Sequence, residues 1–263
     1  MKAAFDNLAN EYDQAFTNSS IGKIQRKQVW SYLDTILPKL TGKEILELTC
    51  GTGEDAILFG QRGFNVLATD SSEIMLNVAA SKIKRFSLSD NIETRKIYLE
   101  ELDKTNFNKK FDLIFSNFGG INCISPEKFE SNLATLNQLL NRNGRIVFVF
   151  INDFCLWETL YYSLKFDFKK AFRRITAQPT LVQFSDKEFF IWYQFARVYN
   201  GHVQFKKTKT KAIAVFTPPS YLEHFFSHHP KMLKVLETID TFVTKFSISS
   251  YLSDHILIEL KPR

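Results

Sequence analysis

A doubly wound α/β sheet, mainly parallel with an antiparallel C-terminal strand, is the fold class that the sequence predicts. Three observations predict it. Between residues 43 and 153, short apolar runs alternate with helical patterns at the spacing of βαβ units. The last of these runs, 146–151, is almost continuously apolar, as a strand covered on both faces must be. A glycine-containing turn at 50–53 lies where the first run meets the first helical pattern. The chain has 263 residues, 44% of them apolar and 24% charged. That size and balance fit one large domain, or one domain with a substantial insertion, and exclude a long disordered protein.

Residues 1–38 read as two helices. Phe5, Leu8, Ala9 and Tyr12 recur at helical spacing, and Ile24, Val29, Tyr32, Leu33, Ile36 and Leu37 form a second stripe closed by Pro38. Strands are expected at 44–48, 64–69, 94–99, 111–116 and 145–151. Helices between them are expected after Gly53, after Ser71 and over 126–141. Ser71 is the natural cap of the second of these, with Ile74, Met75, Val78 and Ala79 on one face. After Asp153 the alternation stops. The spacing predicts helices over 154–174 and 186–199, a long strand within 202–216, two short helical stretches around 221–227 and 231–246, and a last strand at 255–260. This divides the chain into a helical N-terminal cap (1–40), a core (41–153) and a C-terminal half (154–263) that completes the sheet and adds insertions.

The segment Glu47-Leu48-Thr49-Cys50-Gly51-Thr52-Gly53-Glu54-Asp55-Ala56 joins the first strand to the first helix. Gly51 and Gly53 let the backbone approach a ligand and adopt positive φ, and the helix start behind them offers free N–H groups. Residues 51–56 match G-x-G-x-x-A, which by itself suits a dinucleotide. With Glu47 included, the string resembles the acidic-x-Gly-x-Gly-x-Gly loop of class I S-adenosylmethionine-dependent methyltransferases, here Glu47-x-Thr49-x-Gly51-x-Gly53. Charge separates the two readings. A carboxylate at the end of the first strand suits a cationic sulfonium ligand and would repel a pyrophosphate. Thr49 stands where the family has its first glycine. A β-branched residue disfavours positive φ, so either Thr49 is extended here or the loop differs locally.

The resemblance carries further implications, residue by residue. Asp70 ends the second strand and is expected to accept hydrogen bonds from the ribose hydroxyls. The stretch Ser71-Ser72-Glu73-Ile74-Met75-Leu76 resembles the family's S-x-x-M-L, which places Ser71, Ile74 or Met75 against the adenine. Glu100, or the backbone at Leu99, is the candidate for the adenine amino group. Asn117, after the fourth strand, is the candidate for the methionine part. Phe5-Asp6-x-Leu8-Ala9-x-x-Tyr12-Asp13 resembles the A-x-x-Y-D helix of small-molecule methyltransferases of the ubiquinone and menaquinone biosynthesis type. There the helix closes over the cofactor, which gives Tyr12 a place beside it. The implied fold is Rossmann-like and the implied cofactor is S-adenosyl-L-methionine.

In open α/β sheets, ligands meet the carboxyl ends of the strands. The acceptor is therefore expected near Phe118 and Asn152, under a roof that contains Trp157 and Tyr161. A net charge of +6 is compatible with a nucleic-acid partner, but also with the codon bias that joint richness in Lys, Phe, Asn and Ile suggests. The basic cluster Lys165, Lys169, Lys170, Arg173 and Arg174 reads as a solvated helix face, and Lys206, Lys207, Lys209 and Lys211 as an exposed sheet edge. His224, His228 and His229 lack the partners that a metal site needs, so no metal is expected. No apolar stretch is long enough for a membrane-spanning helix, and three scattered cysteines fit a cytoplasmic protein. Together these features point to a cytoplasmic enzyme that methylates a small-molecule acceptor at O, N or C. The alternatives are an RNA methyltransferase and a non-catalytic module that keeps the cofactor fold.

Overall fold

A computed structural model of the chain describes residues 12–176, 178–184, 187–193 and 203–263. The expected helix before Tyr12 lies outside them. Its centre is a seven-stranded sheet in the order β3-β2-β1-β4-β5-β9-β8. The strands are β1 (Glu44–Leu48), β2 (Asn65–Asp70), β3 (Ile92–Lys96), β4 (Phe111–Ser116), β5 (Leu140–Ile151), β8 (Phe205–Ile213) and β9 (His255–Pro262). The first five pair in parallel, while β9 pairs antiparallel with β5 on one side and β8 on the other. The predicted fold class is the one observed.

Period-2 alternation sorts the strand residues into two layers. Leu46, Ile114, Ile146, Phe148, Phe150 and Ile258 pack against Phe129, Leu133 and Leu136 of helix α4 (Pro126–Leu139). On the other face, Ile45, Val66, Phe115, Val147 and Leu257 meet three helices: α1 (Ser20–Ile36), α2 (Glu54–Gln61) and α3 (Glu73–Arg85). Helix starts follow side-chain capping: Ser19 accepts from the Gly22 N–H, and Ser125 precedes Pro126 at the first helical position. The α3 cap is Ser72, not the expected Ser71. The Ser72 side chain accepts from the Met75 N–H, while its own N–H is held by Asp70. That shift by one residue turns Ile74 outward, to 39% exposure, and keeps Met75 in the core.

The C-terminal half departs from its pattern in one place. The helix expected over 186–199 is instead, within the described residues, strand β7 (Lys187–Ile191), antiparallel to β6 (Thr180–Phe184). Both segments are rich in β-branched and aromatic residues, and pairing with each other overrides the helical spacing. The hairpin is tied down by Asn122, whose side-chain amide donates to the Trp192 carbonyl and whose own carbonyl accepts from the Trp192 N–H. After β5 come α5 (Leu156–Leu164) and α6 (Phe168–Ala171); α7 (Glu223–Ser227) and α8 (Pro230–Val243) separate β8 from β9. These insertions follow the carboxyl end of β5 or precede the start of β9, where the sequence places the roof. No helix among the described residues is long and apolar enough to cross a membrane.

Candidate cofactor and acceptor site

Two tight turns build the site at the carboxyl end of the sheet. The first, after β1, runs through Thr49, Gly51 and Gly53, with φ of +55°, +53° and +82°. All three lie in the left-handed region, so Thr49 keeps the conformation of a loop glycine. The alternative of an extended Thr49 is thereby corrected. What holds the strained residue is its hydroxyl, which lies 2.6 Å from the Leu48 carbonyl and 2.7 Å from the Ser116 hydroxyl. A Cβ added at Gly51 would meet nothing within 4 Å, so the loop leaves open space there, whereas one at Gly53 would lie 2.9 Å from the Ala79 side chain. The first glycine leaves room for a ligand; the second lets α2 pack on α3.

Asp70 joins this loop to the next helix. One carboxylate oxygen accepts from the Gly51 N–H at 2.9 Å and the other from the Ser72 N–H at 2.9 Å. The acid thus stands at the end of β2 beside the β1 loop, next to the crevice between β1 and β4 where strand order reverses and where nucleotides bind in open sheets.

The second turn follows β4. Phe118 has φ +48° and Gly119 φ +79°, and a Cβ at Gly119 would come within 2.5 Å of the Ile151 side chain. Asn117 is locked in place: its amide nitrogen donates to Asp55 at 2.9 Å and its oxygen accepts from the Phe118 N–H. Asp55 also accepts from Arg26 at 2.6 Å and from the Trp30 indole at 2.6 Å. One buried carboxylate therefore links α1, α2 and the β4 turn.

Next to this cluster two buried atoms lack hydrogen-bond partners among the described residues, Oε2 of Glu47 and Nε of Arg26. Burial, and then the charge of Asp55, pushes the Glu47 carboxyl well above the usual range. An orphaned acid and an orphaned guanidinium N–H beside an open glycine loop fit the two ends of an amino-acid zwitterion, with its ammonium on the acid and its carboxylate on the base. Tyr12 stands in the same field. Burial pushes its phenol up to about 12, with Arg26 opposing the shift. Asp13 latches this segment down by accepting from the Thr52 hydroxyl at 2.6 Å and by pairing with Lys82.

The remaining sequence candidates fall in different places. Leu99 is buried and its carbonyl accepts from Asn132. Burial pushes the Cys123 thiol up to about 12, and the charges of Asp70 and Glu100 add to that shift. Phe118 is packed between the Phe16 ring (4.8 Å), the Arg26 guanidinium (5.1 Å) and the His255 ring (5.5 Å). The Asn152 amide donates to the Ser250 and Ser253 carbonyls. Trp157 donates to the Phe216 carbonyl and packs on Phe226. Tyr161 lies against Tyr162 and Tyr221 and accepts from Lys165.

Arg173 and Arg174 are not the solvated face expected of them. Both pair with the buried Glu158 at 2.7 Å, and Arg174 also reaches Asp254 at 2.9 Å. The sequence reading missed Arg26, Asp254 and His255. Arg26 left one signal, a cation inside the apolar stripe of α1. His255 opens β9 opposite Ile151, with its Nδ1 3.2 Å from the Asp254 carboxylate but not aligned for a hydrogen bond. Burial alone would raise the Asp254 carboxyl, but His255 and Arg174 hold it below the usual carboxylate range. Among the described residues no group of three or more His, Cys, Asp or Glu side chains could hold a metal ion.

Sheet order, glycine loop and Asp70 define a nucleotide-binding domain of the Rossmann-like methyltransferase kind. Residues 45–144 match the methyltransferase domain family. A demethylmenaquinone methyltransferase of Clavibacter sepedonicus is 30% identical over 148 residues, which are 56% of this chain and 56% of that protein. The chain thus matches little more than half the length of this curated relative. The CcbJ methyltransferase of Streptomyces caelestis has the same fold, with a TM-score of 0.61 at 12% identity over 100% of this chain and 99% of its own. A DhpI complex with S-adenosylhomocysteine gives a TM-score of 0.55 at 14% identity, over 98% of this chain and 93% of its own. The core of this chain is thus similar to the methyltransferase domain family over residues 45–144, and its fold is that of S-adenosylmethionine-dependent methyltransferases.

Proposed function

We propose that the chain transfers the methyl group of S-adenosylmethionine to an apolar small-molecule acceptor, leaving S-adenosylhomocysteine. The observation that carries this reading is the left-handed loop of Thr49, Gly51 and Gly53, bonded through the Gly51 N–H to Asp70. Gly51 gives the cofactor room, Gly53 completes the cofactor loop by letting α2 pack on α3, and Asp70 accepts from the ribose hydroxyls. Ser71, Met75, Leu99 and Glu100 stand on the adenine side. Glu47, Arg26 and Asn117 take the amino-acid end, and Tyr12 closes over it. The cofactor supplies an activated methyl on sulfur. The chain positions that methyl and keeps water away, and such positioning is a large part of catalysis.

The acceptor side is marked by Phe16, Phe118 and His255. An aromatic lining suits an apolar acceptor. Arg173 and Arg174, two of the five cations of the basic cluster, are engaged by Glu158, which favours the small molecule over an RNA. His255, steadied by Asp254, takes the proton that an acceptor O–H or N–H loses as the new bond to methyl forms and the carbon–sulfur bond breaks. Three cysteines without disulfides agree with a cytosolic setting.

The test is release of S-adenosylhomocysteine over a panel of aromatic hydroxy and amino acceptors. His255→Gln is expected to slow turnover about a hundredfold, the size of a lost general base, with the dissociation constant for S-adenosylhomocysteine unchanged. Equal turnover in the variant would remove His255 from the mechanism.

A further inference from the structure

The corner between α5 and α6 has a side chain that the fold itself does not explain. The α5 helix ends in a Schellman motif, in which the Asp167 N–H bonds to the Tyr162 carbonyl and the Phe166 N–H to the Ser163 carbonyl. The residue between these bonds must be left-handed, and glycine or asparagine usually fills it. Here it is Phe166, with φ +58°. Burial does not repay the strain, because Phe166 is 82% exposed. Its neighbours share that exposure: Leu164 is 80% and Phe168 57% exposed. Lys165, Lys169 and Lys170 are interleaved with them, and Asp167, paired with Lys170, is the one carboxylate in the stretch 164–172.

We propose that this corner is an interfacial anchor that inserts Leu164, Phe166 and Phe168 into the surface of an anionic phospholipid bilayer. Apolar tips flanked by lysines are the composition of surfaces that lie in the headgroup region, where rings enter the acyl boundary and ammonium groups meet lipid phosphates. Charge sets this occupant apart from a second protein, since lysine is depleted at the centre of protein interfaces. Area argues the same way. Three side chains of roughly 150–250 Å² each fall short of the ~800 Å² per partner that a stable dimer buries. Nor does the patch fit an RNA, which would use the cations and leave Leu164, Phe166 and Phe168 in water. The anchor does not depend on which acceptor is methylated.

The full chain is tested by flotation with vesicles of phosphatidylglycerol and phosphatidylcholine, and with vesicles of phosphatidylcholine alone. The protein is expected to float with the anionic vesicles, less so as salt rises, and weakly with the neutral ones. Phe166→Asn is expected to lower the partition coefficient about tenfold, the order of one buried aromatic ring, while Tm stays level or rises because asparagine tolerates the left-handed backbone. Lys169→Glu should weaken anionic-vesicle binding and leave Tm unchanged. The proposal is overturned by failure to float with the anionic vesicles, or by a Phe166→Asn variant that floats like the parent. A dimer or an RNA complex that depends on Phe166 would overturn it equally.

Discussion

Two buried ionic clusters flank the carboxyl end of this sheet, and they differ in one respect. In the cluster of Glu158, Arg173, Arg174 and Asp254, the Arg174 guanidinium makes contacts to two carboxylates and to the carbonyls of Asn152 and Asp254. In the cluster of Arg26, Asp55, Asn117 and Glu47, Asp55 is saturated, but Glu47 Oε2 and Arg26 Nε have no partner among the described residues. Buried polar atoms in native structures are nearly always paired. A cluster with its bonds made is architecture. Atoms left over beside an open glycine loop are the ones that the proposed cofactor would pair with.

The comparison can be broken at each cluster, and the largest effect belongs to the satisfied one. Arg174→Met leaves Glu158 and Asp254 short of a cation and is expected to cost about 3 kcal/mol, read as a fall in Tm of roughly 5–10 °C. The same cluster sets an acid limit. Glu158 and Asp254 titrate in the folded chain below their usual values because, despite burial, the arginines (and for Asp254 also His255) favour their charged forms. Their contribution is present above the unfolded pKa values of ~4 and is lost as pH falls through the lower folded values. In Arg174→Met the onset of acid unfolding should move to higher pH; an onset at the parent's pH would contradict the assignment.

Glu47 has the opposite sign. Its folded pKa is raised, so it weakens the fold as pH rises above the unfolded value of ~4.3. Glu47→Gln should therefore raise Tm at neutral pH and, at the same time, weaken binding of S-adenosylhomocysteine by about tenfold, the worth of one charged hydrogen bond. Gain of stability with loss of affinity is the signature of a residue kept for a ligand. A variant that binds as tightly as the parent would return Glu47 to the architecture. Thr49→Gly makes the smallest change. It relieves a left-handed threonine but loses the contact with the Ser116 hydroxyl and leaves a gap against Gly120. These effects offset one another, so Tm should move by only a few degrees and affinity by no more than about threefold.

How far the sequence could be read follows from the same contrast. The strands β1, β2, β4 and β5 were legible because burial on both faces writes an apolar run, as in 146–151, whereas the half-exposed edge strand β3 (Ile92–Lys96) was expected two residues late, at 94–99. The glycine loop and Asp70 were legible because a local backbone need, close approach with positive φ, selects residue type within a few positions. The cap of α3 was misplaced by one residue, since Ser71 and Ser72 are equivalent until Asp70 claims the Ser72 N–H. Hairpin β6–β7 was hidden because its aromatic spacing also suits a helix. The clusters were not legible at all. Arg26 meets Asp55 and Asn117, and Arg174 meets Asp254, across stretches of chain that only the folded sheet brings together. His255 comes to the carboxyl end of β5 because β9 runs antiparallel and begins where β5 ends.

The central claim is that the open loop and Asp70 hold S-adenosylmethionine. Calorimetric titration of the pure chain with S-adenosylhomocysteine, with NAD in parallel, tests it most directly. Micromolar binding of S-adenosylhomocysteine, weakened ten- to a hundredfold in Asp70→Ala as the loss of a charged hydrogen-bond acceptor requires, is the predicted result. Absence of that binding, binding of NAD in its place, or an unchanged dissociation constant in Asp70→Ala would contradict it.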